Sequence, residues 1–434
     1  MLDAVFGSSN LLDVRLVASS PPLVVMDRFT DKQKAILRFL LSDDPKHRVL
    51  FLVGSAGTGK SIGGAAGFLA HASKYVDTHF ILGGKVETSV VRNLEPPLKD
   101  AAGMFGIDYK KIRDGYRIGS NDFYRFGAND EKSQDKVQGM SAAGALLDEA
   151  VLFPRSFVNQ TFARLRVPGA KAVLTMNPQG PNHWMKKEFI DRADEMNGHV
   201  INFTLDDNPH LDPAAREFYE GAFTGVFYDR MVLGLWAAAT GLVWPAFTEL
   251  SESPSGIPSE LEVSVDWGAA SVTAAIAFGR FGNDWIAVAE YYWDADKNGH
   301  RAADEHARAI MVMCDPFGVR VKNVIVDPSA VELNKALGKL ATRPTRVVKG
   351  DNKVVDGIQN TGVALENGLV KIAPSCRQLI GEMATYRWDE KAAARGEDRP
   401  VKRDDHACDA LRYFARRRFG KIGVRKPTKK PARL

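Results

Sequence analysis

Cysteine is scarce in this 434-residue chain, which contains only Cys314, Cys376 and Cys408. Three widely separated cysteines without CxxC spacing exclude a disulfide framework and a zinc-finger pattern, and we expect reduced thiols in the core. No apolar run approaches the roughly 18 residues that a membrane-spanning helix requires. Asp3 and Arg15 interrupt the N-terminal segment, which argues against a signal peptide. These absences predict a cytosolic protein without a membrane partner.

Acidic residues are absent from the end of the chain. The net charge is +5, but residues 416–434 hold nine lysines and arginines and no acid, so the rest of the chain carries −4. Pro427 and Pro431 discourage a continuous helix there. We predict a basic tail at 419–434 that contacts phosphates or acidic partners, although a purely solubilising end stays open. An irregular N-terminal arm is predicted at 1–27.

The first half of the chain alternates between strand-like and helix-like segments. Thr30 is suited to cap a helical pattern that reaches residue 41, and another helix is predicted from Lys60 to residue 71. Short apolar runs predict strands at 49–53, 80–82, 144–147, 172–175 and 199–203. This alternation predicts an α/β sheet wound on both faces over residues 28–210.

A glycine-rich motif follows the first predicted strand. It consists of Gly54, Ser55, Ala56, Gly57, Thr58, Gly59, Lys60 and Ser61. In a G-x-x-x-x-G-K-S loop, backbone N–H groups close around phosphates at a helix N-terminus. We expect Lys60 to reach the β- and γ-phosphates and Ser61 to ligate Mg²⁺. The motif therefore predicts an ATP site.

Acidic and polar residues end the later strands. Asp148 follows a run of alanine and leucine and is predicted to hold Mg²⁺, while Glu149 would polarise the attacking water. Thr175, Met176 and Asn177 close the next strand, where a polar tip could sense hydrolysis and pass it on.

Other groups at the ATP site carry a weaker signal. Gln33 lies upstream of the loop, where many such ATPases place a glutamine that reads adenine. Arg92, Arg125 and Lys136 are candidates for the positive charge that offsets the transition state. Each of these residues also fits an ordinary surface role, and the sequence does not rank the three cations.

A turn-rich break at 251–258 separates the second half of the chain. Residues 211–235 before it predict a helical segment, and we assign 211–257 to a helical subdomain and linker. Later strands are predicted at 261–265, 272–278, 285–292 and 323–326. Helices are predicted at 300–313 and 404–416. A three-strand meander followed by α/β units resembles the ribonuclease H-like arrangement, and predicts a nuclease domain at 258–418.

Carboxylates lie at the ends of two of these strands and on the last helix. Asp266 and Asp327 each follow a strand, and Asp409 shares a helix face with His406, with Asp405 nearby. Clustered carboxylates repel one another, and a divalent cation relieves this repulsion. Two Mg²⁺ or Mn²⁺ ions would activate water and stabilise the leaving oxygen of a phosphodiester. The trio predicts a metal-dependent nuclease, although each aspartate alone also fits a turn or a helix start.

Six motifs follow one another in a specific order. They are GSAGTGKS at 54–61, LLDEA at 146–150, TMNP at 175–178, VDWG at 265–268, VDPS at 326–329 and DDHACDALRY at 404–413. In this order the chain resembles the large terminase subunits of tailed double-stranded DNA bacteriophages, from Gln33 to Tyr413. One departure is that the family's phosphate loop often carries an arginine, whereas Ser55, Ala56 and Thr58 fill the variable positions here.

The resemblance implies an N-terminal P-loop packaging ATPase of the RecA/ASCE-like type and a C-terminal ribonuclease H-like endonuclease. It implies ATP with Mg²⁺ at the first site and Mg²⁺ or Mn²⁺, as two ions, at the second. Implied partners are double-stranded DNA, a small terminase subunit and the portal protein of the procapsid, where the subunits form a pentameric ring. The expected location is the host cytoplasm and, transiently, the portal vertex, but not the mature virion.

Two other functions fit part of the pattern. An ATP-dependent helicase–nuclease of DNA repair would need a second RecA-like domain, and only about 80 residues lie between Thr175 and Pro258. An ATP-switched DNA-binding protein with an inactive nuclease would tolerate the loss of the acidic residues. The intact positions Asp266, Asp327 and Asp409 argue against it.

Overall fold

The structure, a computed structural model, describes residues 29–245, 247, 249–268, 270–340 and 345–420. These residues fall into two units. The first comprises the described residues up to Gln179, His183–Leu211 and Arg230–Trp236. The second comprises Gly180–Asn182, Asp212–Asp229 and the described residues from Ala237 onward. The predicted arm at 1–27, and the predicted tail beyond residue 420, lie outside the described residues.

An eight-stranded sheet forms the centre of the first unit. Its strands are β1 (Val49–Gly54), β2 (His79–Gly84), β3 (Tyr109–Ile112), β4 (Gly115–Ile118), β5 (Asn121–Gly127), β6 (Gly144–Leu147), β7 (Lys171–Met176) and β8 (Gly198–Phe203). They follow the order β3-β4-β5-β2-β6-β7-β1-β8. Only β3, β4 and β5 pair antiparallel. The parallel pairing of β6, β7 and β1 brings their carboxyl ends to one edge.

Helices cover both faces of this sheet. They are α1 (Asp31–Leu41), α2 (Lys60–Ala72), α3 (Glu87–Asn93), α4 (Glu95–Phe105) and α5 (Arg155–Arg164). Alternate residues of β1 enter two separate apolar clusters, with Leu50 and Leu52 in one and Phe51 and Val53 in the other. A strand buried on both faces needs a continuous apolar run, which is why the sequence pattern detected it. The five strands predicted in this half are confirmed, and Thr30 caps α1.

A six-stranded sheet forms the centre of the second unit. Its strands are β9 (Leu261–Trp267), β10 (Val272–Phe281), β11 (Asp284–Asp294), β12 (Val321–Val326), β13 (Arg346–Lys349) and β14 (Val370–Ile372), in the order β13-β12-β9-β10-β11-β14. β9, β10 and β11 form an antiparallel meander, and β12 and β13 continue from β9 as parallel strands. This order confirms the predicted ribonuclease H-like arrangement.

Helices also lie on both faces of the second sheet. The helices of the second half are α6 (Pro213–Gly221), α7 (Gly225–Met231), α8 (Ala295–Asn298), α9 (Ala303–Val312), α10 (Val331–Leu340), α11 (Val354–Glu366), α12 (Arg377–Thr385), α13 (Glu390–Ala394) and α14 (His406–Phe419). One apolar cluster contains residues of α11, α12 and α14, and another contains residues of α9 and α10. Among the described residues, no helix is both long and apolar enough to cross a bilayer.

Three helix predictions differ from the structure. The helix predicted at 300–313 is observed at Ala303–Val312. The last helix begins at His406 rather than 404, because Asp404 has a φ of 48° and Asp405 is its N-cap. The segment 211–235 is not one helical stretch but two short helices, separated before Gly225, whose φ is 52°. The residues assigned to a helical subdomain and linker at 211–257 are divided between the two units.

Candidate functional site

The glycine-rich loop of the first unit connects β1 to α2. Gly54, Gly57 and Gly59 have φ values of 144°, 72° and 83°. A Cβ atom on Gly54 would lie 1.9 Å from the carbonyl oxygen of Phe203, so no other residue fits there. The loop ends at the N-terminus of α2, where the first N–H groups have no partner within the helix and favour an anion.

A segment distant in sequence holds this loop. Ser55 Oγ donates to the Val232 carbonyl at 2.6 Å, and Ala56 N donates to the Met231 carbonyl at 3.2 Å. Asn208 Nδ2 donates to the Gly57 carbonyl at 2.8 Å. Sequence reasoning missed these contacts, since the residues around Val232 carry only an apolar pattern, which predicts a helix and not a contact with the loop.

Lys60 is buried and turned onto its own loop. Its Nζ donates to the Gly54 carbonyl at 2.9 Å, to the Ser55 carbonyl, and to Thr58 Oγ1 at 3.4 Å. Burial lowers the pKa of the Lys60 ammonium to about 8, and the charge of Asp148 opposes this lowering only in part. A desolvated cation beside free N–H groups is well suited to receive phosphate oxygens.

Asp148, at the end of β6, gathers three polar side chains. Its Oδ1 accepts from Thr175 Oγ1 at 2.5 Å and from Ser61 Oγ at 3.3 Å, and its Oδ2 accepts from Asn93 Nδ2 at 3.0 Å. The structure thus brings together Ser61 and Asp148, the two groups predicted to bind Mg²⁺. Asn93 was missed, because an asparagine at a helix end has no distinguishing pattern in sequence.

Glu149 occupies an unusual backbone conformation next to Asp148. Its φ is 58°, and its backbone N donates to Thr175 Oγ1 at 3.3 Å. A non-glycine residue in this region is strained, which is common at functional sites. Burial raises the pKa of the Glu149 carboxyl, Asp148 adds to the rise, and Arg92 opposes it. A carboxyl with a raised pKa is a better general base near neutral pH.

Gln33 and the strand-end residues occupy defined positions. Gln33 Nε2 lies 3.4 Å from the Gly59 carbonyl, and its Oε1 accepts from Thr30 N at 3.0 Å. Met176 is buried and pairs with Val53 in the sheet, and Asn177 follows it as a half-buried residue. These positions border the loop, while recognition of adenine and transmission of hydrolysis stay predictions.

The three candidate cations lie in different environments. Arg92 acts electrostatically on Glu149. Arg125 lies over the Tyr116 ring at 5.5 Å and donates to the Arg113 carbonyl at 3.1 Å. Lys136 donates to the Gly127 carbonyl at 3.2 Å. Of the three, Arg92 is the one whose charge lowers the pKa of Glu149, the predicted catalytic base.

The carboxylates of the second unit meet at one edge of its sheet. Asp266 lies near the end of β9, and Asp327 follows the neighbouring parallel strand β12, where its N donates to the Val265 carbonyl at 3.2 Å. Asp409 lies in the first turn of α14. Burial raises the pKa of Asp266, and the charges of Asp409 and Asp327 raise it further, which places all three within electrostatic range.

Asp266 and Asp327 have different partners. His406 Nδ1 lies 2.9 Å from Asp266 Oδ2, and this hydrogen bond raises the pKa of His406. Asp327 accepts from Tyr413 Oη at 2.8 Å and from the backbone N and Oγ of Ser329, both at 2.7 Å. Burial alone would raise the pKa of Asp327, but these hydrogen bonds outweigh it and the pKa is lowered.

Two cations hold Asp409. Arg412 Nε donates to Asp409 Oδ1 at 3.0 Å, and Arg412 itself is 1% exposed. Lys402 Nζ lies 3.1 Å from both Asp409 Oδ2 and Asp405 Oδ2. Sequence reasoning missed Arg412, Lys402 and Tyr413. The spacing of Arg412 and Tyr413, three and four residues after Asp409 on one helix, was the available signal.

The donor set suits a hard divalent cation. Carboxylate oxygens are preferred ligands of Mg²⁺ and Mn²⁺, and Asp405 and Asp409 already hold one cationic group, the Lys402 ammonium. Within the part of the chain that the structure describes, however, no three His, Cys, Asp or Glu side chains are grouped around one point that could hold a metal ion. Arg412, Tyr413 and Lys402 occupy carboxylate oxygens of the predicted ligands.

A buried glutamate anchors the helix that carries Asp409. Glu382 Oε2 accepts from the backbone N of Ala407 at 2.7 Å and of Cys408 at 3.0 Å, and Tyr292 Oη donates to Glu382 Oε1 at 3.0 Å. A carboxylate at a helix N-terminus is stabilised by free N–H groups and the helix dipole. Burial nevertheless raises the pKa of Glu382. The sequence carried no sign of this contact across 25 residues.

Comparisons with known proteins agree with this geometry. The family model described as terminase large subunit, T4likevirus-type, N-terminal, matches residues 51–250. The large terminase of a thermophilic bacteriophage is 35% identical, covers 90% of this chain and 99% of its own, and superposes with a TM-score of 0.77. The same thermophilic-phage protein in complex with ATP-γ-S is 34% identical, with coverages of 89% and 98% and a TM-score of 0.74.

A further relative is more distant. The large terminase subunit of Escherichia phage T5 is 24% identical over 301 residues. That alignment spans 64% of this chain and 66% of the relative, which is just under two thirds of the relative's length.

Proposed function

The chain belongs to the large terminase subunits of bacteriophages, and from this premise we propose that it hydrolyses ATP to move double-stranded DNA into a procapsid and then cuts that DNA. The observation that carries the proposal is the pairing of a phosphate loop beside Asp148 and Glu149 in one unit with three carboxylates on a ribonuclease H-like sheet in the other. We assign the ATPase domain to 28–210, the subdomain and linker to 211–257, and the nuclease domain to 258–418.

ATP is the proposed substrate of the first unit. Residues 54–59 would enclose the phosphates, and Lys60 would exchange its loop carbonyls for β- and γ-phosphate oxygens. Ser61 and Asp148 would hold Mg²⁺, and Gln33 would read the adenine. The thermophilic-phage relative is known in complex with ATP-γ-S, which supports a nucleotide at this site.

Glu149 is the proposed base that takes the proton of the attacking water. The Thr175 hydroxyl donates to Asp148 and accepts from the N of Glu149, so it contacts both acidic residues. Loss of the γ-phosphate would change these contacts. Residues 175–177 would then shift and couple hydrolysis to a movement of the rest of the sheet. Arg92 is our preferred source of the positive charge that offsets the transition state, because it acts on Glu149.

DNA is the proposed substrate of the second unit. Asp266, Asp327 and Asp409 would hold Mg²⁺ or Mn²⁺, with Asp405 and His406 beside them. Such ions, when bound, activate water and stabilise the leaving oxygen of a phosphodiester. His406 Nδ1 lies 2.9 Å from Asp266 Oδ2, and this contact orients the His406 ring beside the carboxylates. Hydrogen bonds from His406, Tyr413 and Arg412 hold the three carboxylates in place.

The proposed partners are the portal protein, a small terminase subunit and further copies of this chain in a pentameric ring. We place the protein in the host cytoplasm and at the portal vertex during packaging. A helicase–nuclease is not favoured, because the described residues of the second unit form a ribonuclease H-like sheet rather than a second RecA-like one.

The test compares plasmid cleavage and ATP hydrolysis for the wild type, Lys60→Ala and Asp266→Ala, each with Mn²⁺, Mg²⁺ or EDTA. We expect Lys60→Ala to lose hydrolysis and keep cutting, and Asp266→Ala to do the reverse. Asp304→Ala, at an exposed acid on α9, is the matched control and should keep both activities. Loss of both activities in folded Lys60→Ala, or no metal-dependent cutting by the wild type, would contradict the proposal.

A further inference from the structure

A basic groove lies beside the last turns of α14 in the second unit. Its volume is about 740 Å³, and its lining includes two acidic residues, Glu262 and Asp351. The lining also includes five cations, which gives a net charge of +3. These cations are Arg280, Lys349, Arg416, Arg417 and Arg418.

Acidic and aromatic neighbours hold part of the basic groove rigid. Arg416 Nε lies 3.1 Å from Asp351 Oδ2, and its Nη2 lies 3.1 Å from Asp356 Oδ2. The guanidinium of Arg418 stacks over the Trp285 ring at 4.5 Å. Side chains that are already ordered lose little conformational entropy when they bind a ligand.

Two cations of the basic groove are left for a ligand. Lys349 and Arg417 are exposed, and no ion pair or side-chain hydrogen bond joins either of them to another described residue. Unpaired cations beside fixed guanidinium groups form a surface for a polyanion, since arginine matches phosphate oxygens in a planar, bidentate geometry.

The basic groove lies close to the nuclease carboxylates. Asp409 and Arg416 lie on the same helix, seven residues apart. At 1.5 Å per residue this is roughly 10 Å along the helix axis. One strand of a DNA duplex rises 3.4 Å per base pair, so this distance is about three base pairs. Arg412 links the two places, because it donates to Asp409 and its Nη1 lies 3.5 Å from the Asp351 carbonyl.

We propose that the basic groove binds the sugar–phosphate backbone of the DNA duplex about three base pairs from the bond that is cut. The proposal rests on the proposed nuclease function and adds where the flanking DNA is held. Contacts to phosphates carry no base information, so the groove sets the position and orientation of the duplex rather than the sequence of the cut.

The experiment measures binding of a 30-base-pair duplex by fluorescence anisotropy, with EDTA, from 50 to 300 mM salt. The parent is the full chain with Asp266→Ala, and the test variant adds Lys349→Ala and Arg417→Ala. Each lost phosphate contact should lower the slope of log K against log salt by about 0.9, and should weaken binding on the order of tenfold at 0.1 M salt. Charge reversal to glutamate should weaken binding further.

The control variant adds Lys335→Ala and Arg308→Ala to the same parent. Both residues lie on helices of the other apolar cluster, so they cover the opposite face of the sheet. We expect this control to bind like the parent, with equal thermal stability in all variants. If the groove variant also binds like the parent, the groove proposal is wrong and the nuclease assignment stands. If the parent does not bind duplex DNA at all, both the groove proposal and the nuclease assignment are wrong.

Discussion

Replacing Lys60 with methionine should stabilise the nucleotide-free protein at neutral pH. Lys60 is 7% exposed, and burial lowers its pKa from 10.5 to about 8. At 1.36 kcal/mol per pKa unit, burying the charged form costs roughly 3 kcal/mol. Methionine removes this cost and also the hydrogen bonds to the Gly54 and Ser55 carbonyls, each worth about 0.5–1.5 kcal/mol. We therefore expect a net gain of about 1–2 kcal/mol.

The gain should depend on pH in a specific direction. Below pH 8, Lys60 is charged in the folded and unfolded states, and the cost of burial is complete. Between about pH 8 and 10.5 the folded protein loses this proton first. The unfolded state then binds more protons, so the stability of the wild type rises. The advantage of Lys60→Met should shrink above about pH 8, vanish at about pH 9 and then reverse, because the wild type gains roughly 3 kcal/mol over the whole window. Urea unfolding of the wild type and of Lys60→Met at pH 7, 8.5 and 10 measures this difference in the free energy of unfolding.

Lys171 provides the matched control. It is 5% exposed, burial lowers its pKa to about 8 as well, and its Nζ donates to the carbonyls of Phe39 and Ser42 rather than to the phosphate loop. ATP-γ-S should stabilise the wild type and Lys171→Met equally, and Lys60→Met much less. A Lys60→Met protein that is less stable than the wild type at pH 7, or a difference that does not vary with pH, would refute the reasoning.

Three further predictions concern individual residues. Glu149→Gln should lower ATP turnover at least 100-fold while a fluorescent ATP analogue still binds, because only the base is lost; turnover close to the wild type would contradict that role. Glu382→Ala should destabilise the protein by about 1–3 kcal/mol in urea unfolding, since the N–H groups of Ala407 and Cys408 at the start of α14 lose their buried acceptor. A loss below about 0.5 kcal/mol would mean that the helix start does not depend on this carboxylate. Lys402→Met should tighten Mn²⁺ binding measured by calorimetry, because the ammonium no longer occupies Asp405 and Asp409. Unchanged affinity would show that Lys402 does not compete with the metal.

Local patterns predicted most of the secondary structure of both units. The strand predicted at 144–147 is Gly144–Leu147, because this apolar run, which ends at Asp148, needs burial on both faces. The phosphate loop is recognisable for a related reason, since glycine is required wherever φ is positive and a neighbouring backbone is close. The order of strands in the second half likewise predicted the ribonuclease H-like sheet.

The contacts around the sites depended on the tertiary structure. Val232 reaches the phosphate loop across 177 residues, and Glu382 reaches the start of α14 across 25. The sequence contains the donors and acceptors but not the path that brings them together. The positions of Asp266 and Asp327 at strand ends could be predicted from strand polarity. That Tyr413 binds Asp327, and that Lys402 bridges two carboxylates, was decided by how the last helix packs on the sheet. Residue types and their hydrophobic periodicity determined the helices, the strands and the kind of chemistry at each site. Long-range packing decided which charged side chains contact one another.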